Sequence, residues 1–304
     1  MITRHMVDER IADLGALRAL METYEALAAN DIRKLRANIG EHRAFYDAIK
    51  MLFQDVHASY QSDIETLQQE GTTDADEGGA RKDGALVLIT PNTSLNGEIV
   101  PAVFREFRDA VSRAPDADLV VVGFVGKVLM ERLLPDMTFV YLPVPEERAP
   151  SETFLRAASR HLWQYRRVTL CHGISEQLLS MRAISSVVRG EEDVDTQLGT
   201  SATRRRYLFE PSFSTVVRFF ETEVFTALFE ERLRESALAR FSSRLILLDQ
   251  SISGIERATT AASVERRRLL HRLEGRKQLG TMASVAFWGD PFGRASIDHS
   301  MYFR

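Results

Sequence analysis

Three short stretches carry residue types that do chemistry elsewhere. Gly123-Phe124-Val125-Gly126-Lys127 follows an apolar run, as a phosphate-cradling loop does. That loop needs four residues between its first glycine and the Gly-Lys pair, then a hydroxyl to reach magnesium. Here only Phe124 and Val125 separate the glycines, and Val128 stands in the hydroxyl's place. The stretch therefore reads as a turn between strand and helix, not a nucleotide site. Cys171-His172 ends another apolar run. A thiolate–imidazole pair needs the two side chains apposed, and neighbours on a strand point to opposite faces. Cys171 is expected to be a buried structural residue. The histidines are scattered without metal-ligand spacing to one another or to cysteine. Arg204-Arg205-Arg206 and Arg266-Arg267-Arg268 are basic clusters. They read as solvated surface or as a contact for an acidic protein face. Neither is interleaved with aromatics as a single-strand platform is. No cofactor, metal, nucleic-acid partner or catalytic constellation is expected.

Composition sets the frame for these stretches. The chain has 304 residues, 44% hydrophobic and 27% charged, with a net charge of −4. Those values are globular, and the balance excludes a generally basic nucleic-acid coat. One cysteine excludes a disulfide framework and fits a reducing compartment. No apolar run reaches the ~18 residues of a membrane-spanning helix. The first residues lack the apolar core of a signal peptide.

Proline divides the chain. None of the nine prolines precedes Pro91, and none lies between Pro211 and Pro291. Proline inside a helix costs ~3 kcal/mol, so two long helices can flank a proline-containing middle. In the first tract apolar residues recur with a seven-residue repeat: Val7, Ile11, Leu14, Met21, Ala28, Ile32, Leu35, Ile39, Tyr46, Ile49, Phe53, Val56 and Tyr60. Arg18, Glu25 and His42 fill the skipped positions. Such a repeat marks a coiled-coil seam. The second tract starts at Pro211-Ser212 and stops at Gly289-Asp290-Pro291, roughly 110 Å at ~1.5 Å per residue. Between them, Ala85–Thr90, Asp118–Gly123, Thr138–Leu142 and Val168–His172 read as buried strands. Helices near 99–113, 126–134 and 151–165 separate them. Strands that are apolar throughout signal a parallel sheet covered on both faces. Residues 183–188 and 207–210 add candidate edge strands.

The expected fold class is α/β plus a long antiparallel coiled coil. The N- and C-terminal long helices pack together beside a small, central, Rossmann-like α/β domain. The boundaries are 1–70 for the first helix, 71–84 for a polar linker, 85–210 for the α/β domain, 211–287 for the last helix and 288–304 for a tail. Trp288, Phe292, Tyr302 and Phe303 make that tail aromatic-rich: it is a frayed terminus, or a plug on a partner or on this chain's own shaft.

This order of parts resembles the gamma subunit of F-type rotary ATP synthases. Glu25–Lys34 (EALAANDIRK) resembles that family's first-helix segment. Leu88–Gly97 (LITPNTSLNG) resembles the motif after its first strand. Tyr207–Ser212 (YLFEPS) resembles its entry into the last helix. Ser243-Arg244-Leu245 with Leu248-Asp249, Ser251 and Gly254 resembles a stretch within that helix. Asn92 stands where the family has Asp. Arg267, Leu270, His271, Glu274 and Gly275 replace the family's C-terminal pattern. The resemblance implies a non-catalytic rotor shaft that couples ion translocation, such as proton transport, to ATP synthesis or hydrolysis. Its implied partners are the alpha and beta subunits of the catalytic ring, the epsilon subunit and the c-ring. Its implied place is the cytoplasmic side of the membrane, as a peripheral subunit. Arg244, Asp249, Arg266, Arg267 and Arg268 are the suspected ring or partner contacts. The alternatives are a gamma-like subunit of a specialised rotary ATPase, a coiled-coil scaffold with this fold, and an α/β enzyme with helical arms. The last is disfavoured because no site is visible.

Overall fold

A computed structural model describes residues 3–59, 82–144, 150–177, 180–189, 210 and 212–288. Among them are five helices and five strands. In chain order these are α1 (Arg4–Ser59), β1 (Lys82–Ile89), α2 (Ile99–Arg113), β2 (Asp118–Val122), α3 (Phe124–Leu133), β3 (Phe139–Leu142), α4 (Glu152–Leu162), β4 (Tyr165–Gln177), β5 (Ser180–Arg189) and α5 (Phe213–Trp288). The long helices fall where proline is absent. Ser212 caps α5, its Oγ accepting from the Thr215 amide at 3.3 Å. The expected stop at 289–291, residues 207–209 of the expected strand at 207–210 and the tail after Trp288 lie outside the described residues, and Glu210 is in a bend.

The sheet has the order β3-β2-β1-β4-β5. β3, β2, β1 and β4 are parallel, and β5 returns antiparallel along β4. Two crossovers move from β1 outward to β3, and the third returns past β1 to β4. This is the doubly wound arrangement, with its switch between β1 and β4. One face packs Val87, Ile89, Val120, Val122 and Leu170 against Phe154, Leu155, Ala158 and Leu162 of α4 and Phe225, Phe229 and Leu233 of α5. The other packs Leu86, Leu88, Leu119, Val121 and Cys171 against α2, Met130 of α3 and Ala239 of α5. Both faces are covered, which is why β1 and β2 carry unbroken buried apolar runs, Ala85–Ile89 and Leu119–Val122.

Three boundaries differ from expectation. β1 begins at Lys82, inside the expected linker, because Lys82 and Gly84 pair with Tyr165 and Arg167 of β4. α4 stops at Leu162 rather than near Tyr165, because Tyr165 is the first residue of β4, with no exposed surface. β4 runs on to Gln177 because the β5 hairpin supplies a partner for the added residues.

The chain forms two compact units, Tyr24–Asp249 and Met1–Thr23 with Gln250–Arg304. In the second, Arg18 bridges Glu256 at 2.9 Å and Asp8 bridges Arg266 at 2.6 Å. Ten residues forward on α1 correspond to ten backward on α5, so the helices run antiparallel there. Arg18 occupies a skipped position of the seven-residue repeat and turns it into an ion pair. In the larger unit, Ile32 and Leu35 of α1 join Ala237 and Phe241 of α5 in one buried cluster. The side chain of Ile39 lies outside the described residues.

Candidate functional site

The carboxyl edge of the parallel strands is where doubly wound sheets hold ligands, in the crevice at the switch point. Here that edge is filled from within. After β1 the chain runs through Thr90, Pro91 and Asn92, and after β2 through Gly123 into α3. The first amides of α3 are those that would face a phosphate. All three are taken: Phe124 N donates to Asn92 Oδ1 at 3.0 Å, Val125 N to Pro91 O at 3.0 Å, and Gly126 N to Thr90 Oγ1 at 2.8 Å. Thr90 Oγ1 in turn donates to Val122 O at 2.9 Å. Gly123 sits at φ 97°, and a Cβ there would overlap the Thr90 carbonyl. Lys127 lies near Glu131 at 3.8 Å and over the Tyr141 ring. The amide of Asn92 also donates to Val144 O at 2.5 Å. A carboxylate could not donate, which gives the Asn at this position a physical reason.

The crevice itself holds α5. A Cβ on Gly173 of β4 would stand 3.2 Å from Ala239 Cβ and 2.9 Å from Ile99. A Cβ on Gly97 would stand 2.5 Å from Ser243 Oγ. Ser236, Ala239, Ser242 and Ser243 are all buried. Small residues on the helix and glycines on the domain bring the two backbones close.

Beside this approach Arg244 closes the joint. Its Nε donates to Leu95 O at 3.2 Å. Its Nη2 donates to Thr93 Oγ1 at 3.0 Å, Asn96 Oδ1 at 3.0 Å and Ser94 O at 3.4 Å. The guanidinium also lies over the Phe241 ring. The gripped loop includes Leu95 at φ 65°, the one non-glycine residue in the left-handed region among the described residues. Pro91, Asn96, Arg240, Phe241 and Arg244 line a shallow dent at its rim.

The other suspected contact residues are placed as follows. Asp249 is exposed on α5. Arg266 is about half exposed and holds Asp8, while Arg267 and Arg268 are exposed. Arg204–Arg206 lie outside the described residues. Arg244 and Asp249 belong to the larger unit and Arg266–Arg268 to the other.

Cys171 and His172 point to opposite faces, both without exposed surface. Burial pushes the Cys171 thiol up to about 12. His172 Nδ1 lies 3.2 Å from Gly173 O, and Nε2 lies 2.9 Å from Ser186 Oγ. A carbonyl oxygen only accepts, so Nδ1 carries the proton and Nε2 accepts from the serine. Burial, then the nearby Arg232, pull His172 down to about 4, against the opposing pull of Glu235 and Gly173 O. At the opposite edge of the sheet, Tyr165 OH donates to Asp118 Oδ2 at 2.9 Å, and Lys82 Nζ meets the same oxygen at 2.5 Å. The two contacts hold Asp118 below the usual carboxylate range. They staple the starts of three strands.

The sequence missed this joint. Thr90 and Asn92 are residue types that cap helices, but the helix they cap begins 32 residues later. Arg244 and its loop are about 150 residues apart in the chain. Their separate motifs were legible; their meeting was not.

No family model and no curated protein matches the sequence. Solved structures do. A chain of the Tetrahymena thermophila mitochondrial ATP synthase central stalk and c-ring assembly matches with a TM-score of 0.53 at 18% identity. The match covers 76% of this chain and 99% of that one. A chain of the Euglena gracilis mitochondrial ATP synthase OSCP, F1 and c-ring assembly matches with a TM-score of 0.52 at 14% identity, over 90% of this chain and 100% of that one. At these identities the likeness is one of fold.

Proposed function

We propose that this chain is the central shaft, a gamma-type subunit, of a rotary ATP synthase or ATPase. The observation that carries the reading is the stretch of α5 that outruns α1. By the Asp8–Arg266 and Arg18–Glu256 register, Arg4 at the start of α1 stands level with about residue 270 of α5. α5 continues to Trp288, roughly 27 Å further at ~1.5 Å per residue. Along it the last charged residue is Lys277. Leu279, Met282 and Val285 are 68%, 70% and 64% exposed. An exposed, uncharged, apolar stretch of helix is costly in water and suits the axis of a surrounding ring. The fold likeness to chains of ATP synthase assemblies supports the same reading, as does a ligand crevice given over to gripping a helix.

On this reading the chain does no chemistry of its own. ATP turns over in a ring of alpha and beta subunits, and the shaft's angle sets their conformations. Only contacts that differ between those conformations can switch them. The exposed Arg267 and Arg268, with Arg266, are the proposed basic contact with the ring, and Asp249 a further one. Arg244 serves the joint. The epsilon subunit and c-ring are the proposed partners of the α/β domain. No helix among the described residues is long and apolar enough to cross a membrane, and the proposed place is peripheral, on a membrane complex.

The test is reconstitution with the alpha and beta subunits encoded by the same genome. The expected result is ATP hydrolysis that requires this chain and falls when Leu279, Met282 and Val285 are all changed to Ser. A ring that assembles and turns over equally well without the chain would overturn the reading.

A further inference from the structure

We propose that the joint at the carboxyl edge of the sheet is a torsional lock, which fixes the rotation of α5 about its own axis so that twist passes between helix and α/β domain without slip. The inference rests on the rotor reading for its use, but the lock is a property of this chain alone.

A helix lying on a flat apolar face can roll, because one side chain replaces another at similar cost. Two features of this joint prevent rolling. The first is steric. Ala239 and Ser243 lie one turn apart on the same stripe of α5, and each meets a glycine of the domain, Gly173 and Gly97. There is no space for a single added methyl between Gly97 and Ser243 Oγ, 2.5 Å away, or Ser243 O, 3.0 Å away. Rotation of α5 by one residue would bring Arg244 or Ser242 against Gly97 and force the backbones apart. The stripe is therefore a key, with Gly97 and Gly173 as its slots.

The second feature is the clasp. Arg244 follows Ser243 by ~100° around the helix. Loop residues 93–97 thus reach around α5 from Gly97 on one side to the guanidinium on the other. The guanidinium holds Thr93, Ser94, Leu95 and Asn96 at 3.0–3.4 Å. These donors form a rigid planar fork at the end of a long side chain, so they act off the helix axis, where they oppose rotation best. Leu95 stays in the left-handed region, a conformation that persists only when its surroundings over-determine it. The loop is held in one shape, and that shape fits α5 in one azimuth.

The experiment applies torque directly. The full-length chain is anchored through a cysteine placed at exposed Asp109 on α2 and carries a magnetic bead on a cysteine at exposed Asp249 on α5. Both handles lie in the larger unit. Buried Cys171 stays unlabelled. The expected result is that the native chain holds torque without slip. Arg244→Ala should lower the slip torque at least about threefold, because charge-assisted bonds are the strongest in the joint. Arg244→Lys should recover only part, since an ammonium cannot form the fork. Gly97→Ala should lower it independently, with the sheet intact by circular dichroism. Phe229→Ala, which thins the sheet-face packing but leaves the joint alone, should change the slip torque much less than Arg244→Ala.

Unchanged slip torque in both Arg244→Ala and Gly97→Ala overturns the lock. An equal fall in Phe229→Ala also overturns it, by assigning the stiffness to general packing. The rotor reading has its own test in the reconstituted ring, so a chain that holds torque yet is dispensable for turnover separates the two failures.

Discussion

Neutralising the pH response of His172 tests the account of the sheet's inner face. Burial holds this imidazole at about 4, against an ordinary 6.5. The unfolded chain therefore takes up a proton between those values and the folded chain does not. Stability is full above pH 6.5, falls as pH drops through the window, and levels off below 4. Linkage at ~1.4 kcal/mol per pH unit makes the total loss about 3 kcal/mol, and about 2.5 kcal/mol at pH 4.5. His172→Gln removes the titration while leaving an amide near Ser186. In a Trp288→Phe background, Trp163 fluorescence follows urea unfolding of the α/β region at pH 7.5 and pH 4.5. His161 is also lowered by burial and adds a loss of its own as pH falls below 6.5. Asp118, held low, adds a loss only below its ordinary 3.8. The quantity of interest is therefore the difference between the two proteins. The variant should lose about 2.5 kcal/mol less than its parent on acidification. Equal losses would refute the claim that His172 is buried neutral against Ser186 and α5.

Three further outcomes follow from the same geometry. Gly123→Ala combines an unfavourable φ with overlap on the Thr90 carbonyl. It should cost about 2–4 kcal/mol by urea denaturation, and a cost below ~0.5 kcal/mol would contradict the close approach. Cys171, buried and held at about 12, should resist iodoacetamide at pH 8 and react only as fast as the α/β region opens, so prompt labelling of the folded chain would count against its placement. Asp8 and Arg266, 2.6 Å apart and both partly exposed, should gain or lose under ~1 kcal/mol on single charge reversal. Reversing both together should restore the melting temperature at low salt, and additivity of the two single changes would refute the antiparallel register.

The parts of the fold set by local pattern were readable residue by residue. Proline spacing located both long helices, and the apolar runs located the central strands. The seven-residue repeat named Val7, Ala28, Ile32 and Leu35, all buried, while Leu17, Leu20, Tyr24 and Leu27 beside them stay exposed. The strand ends were less legible, because Lys82 and Gln177 are polar and join the sheet only through partners distant in sequence. The joint was illegible as a site. Glycine and serine look the same in a turn, in a helix or at a contact of two backbones. Only the fold shows that Gly97 and Ser243 are each small because of the other. The suspicion of Arg244 arose from resemblance and pointed outward, whereas its hydrogen bonds go to its own loop. Long-range polar contacts leave no periodic trace.

The exposed apolar stretch of α5 also bears on how the protein fares before assembly. Among the described residues, Leu279, Met282 and Val285 are presented to solvent. Exposed apolar segments of this kind are what chaperones retain and proteases clear. Under the rotor reading, an unseated copy would carry its own mark as surplus, and a seated copy would lose that mark by the act of docking. Under the rotor reading, abundance would then be set by the number of receptive rings rather than by the rate of synthesis, with stoichiometry policed by a hydrophobic surface instead of a dedicated regulator.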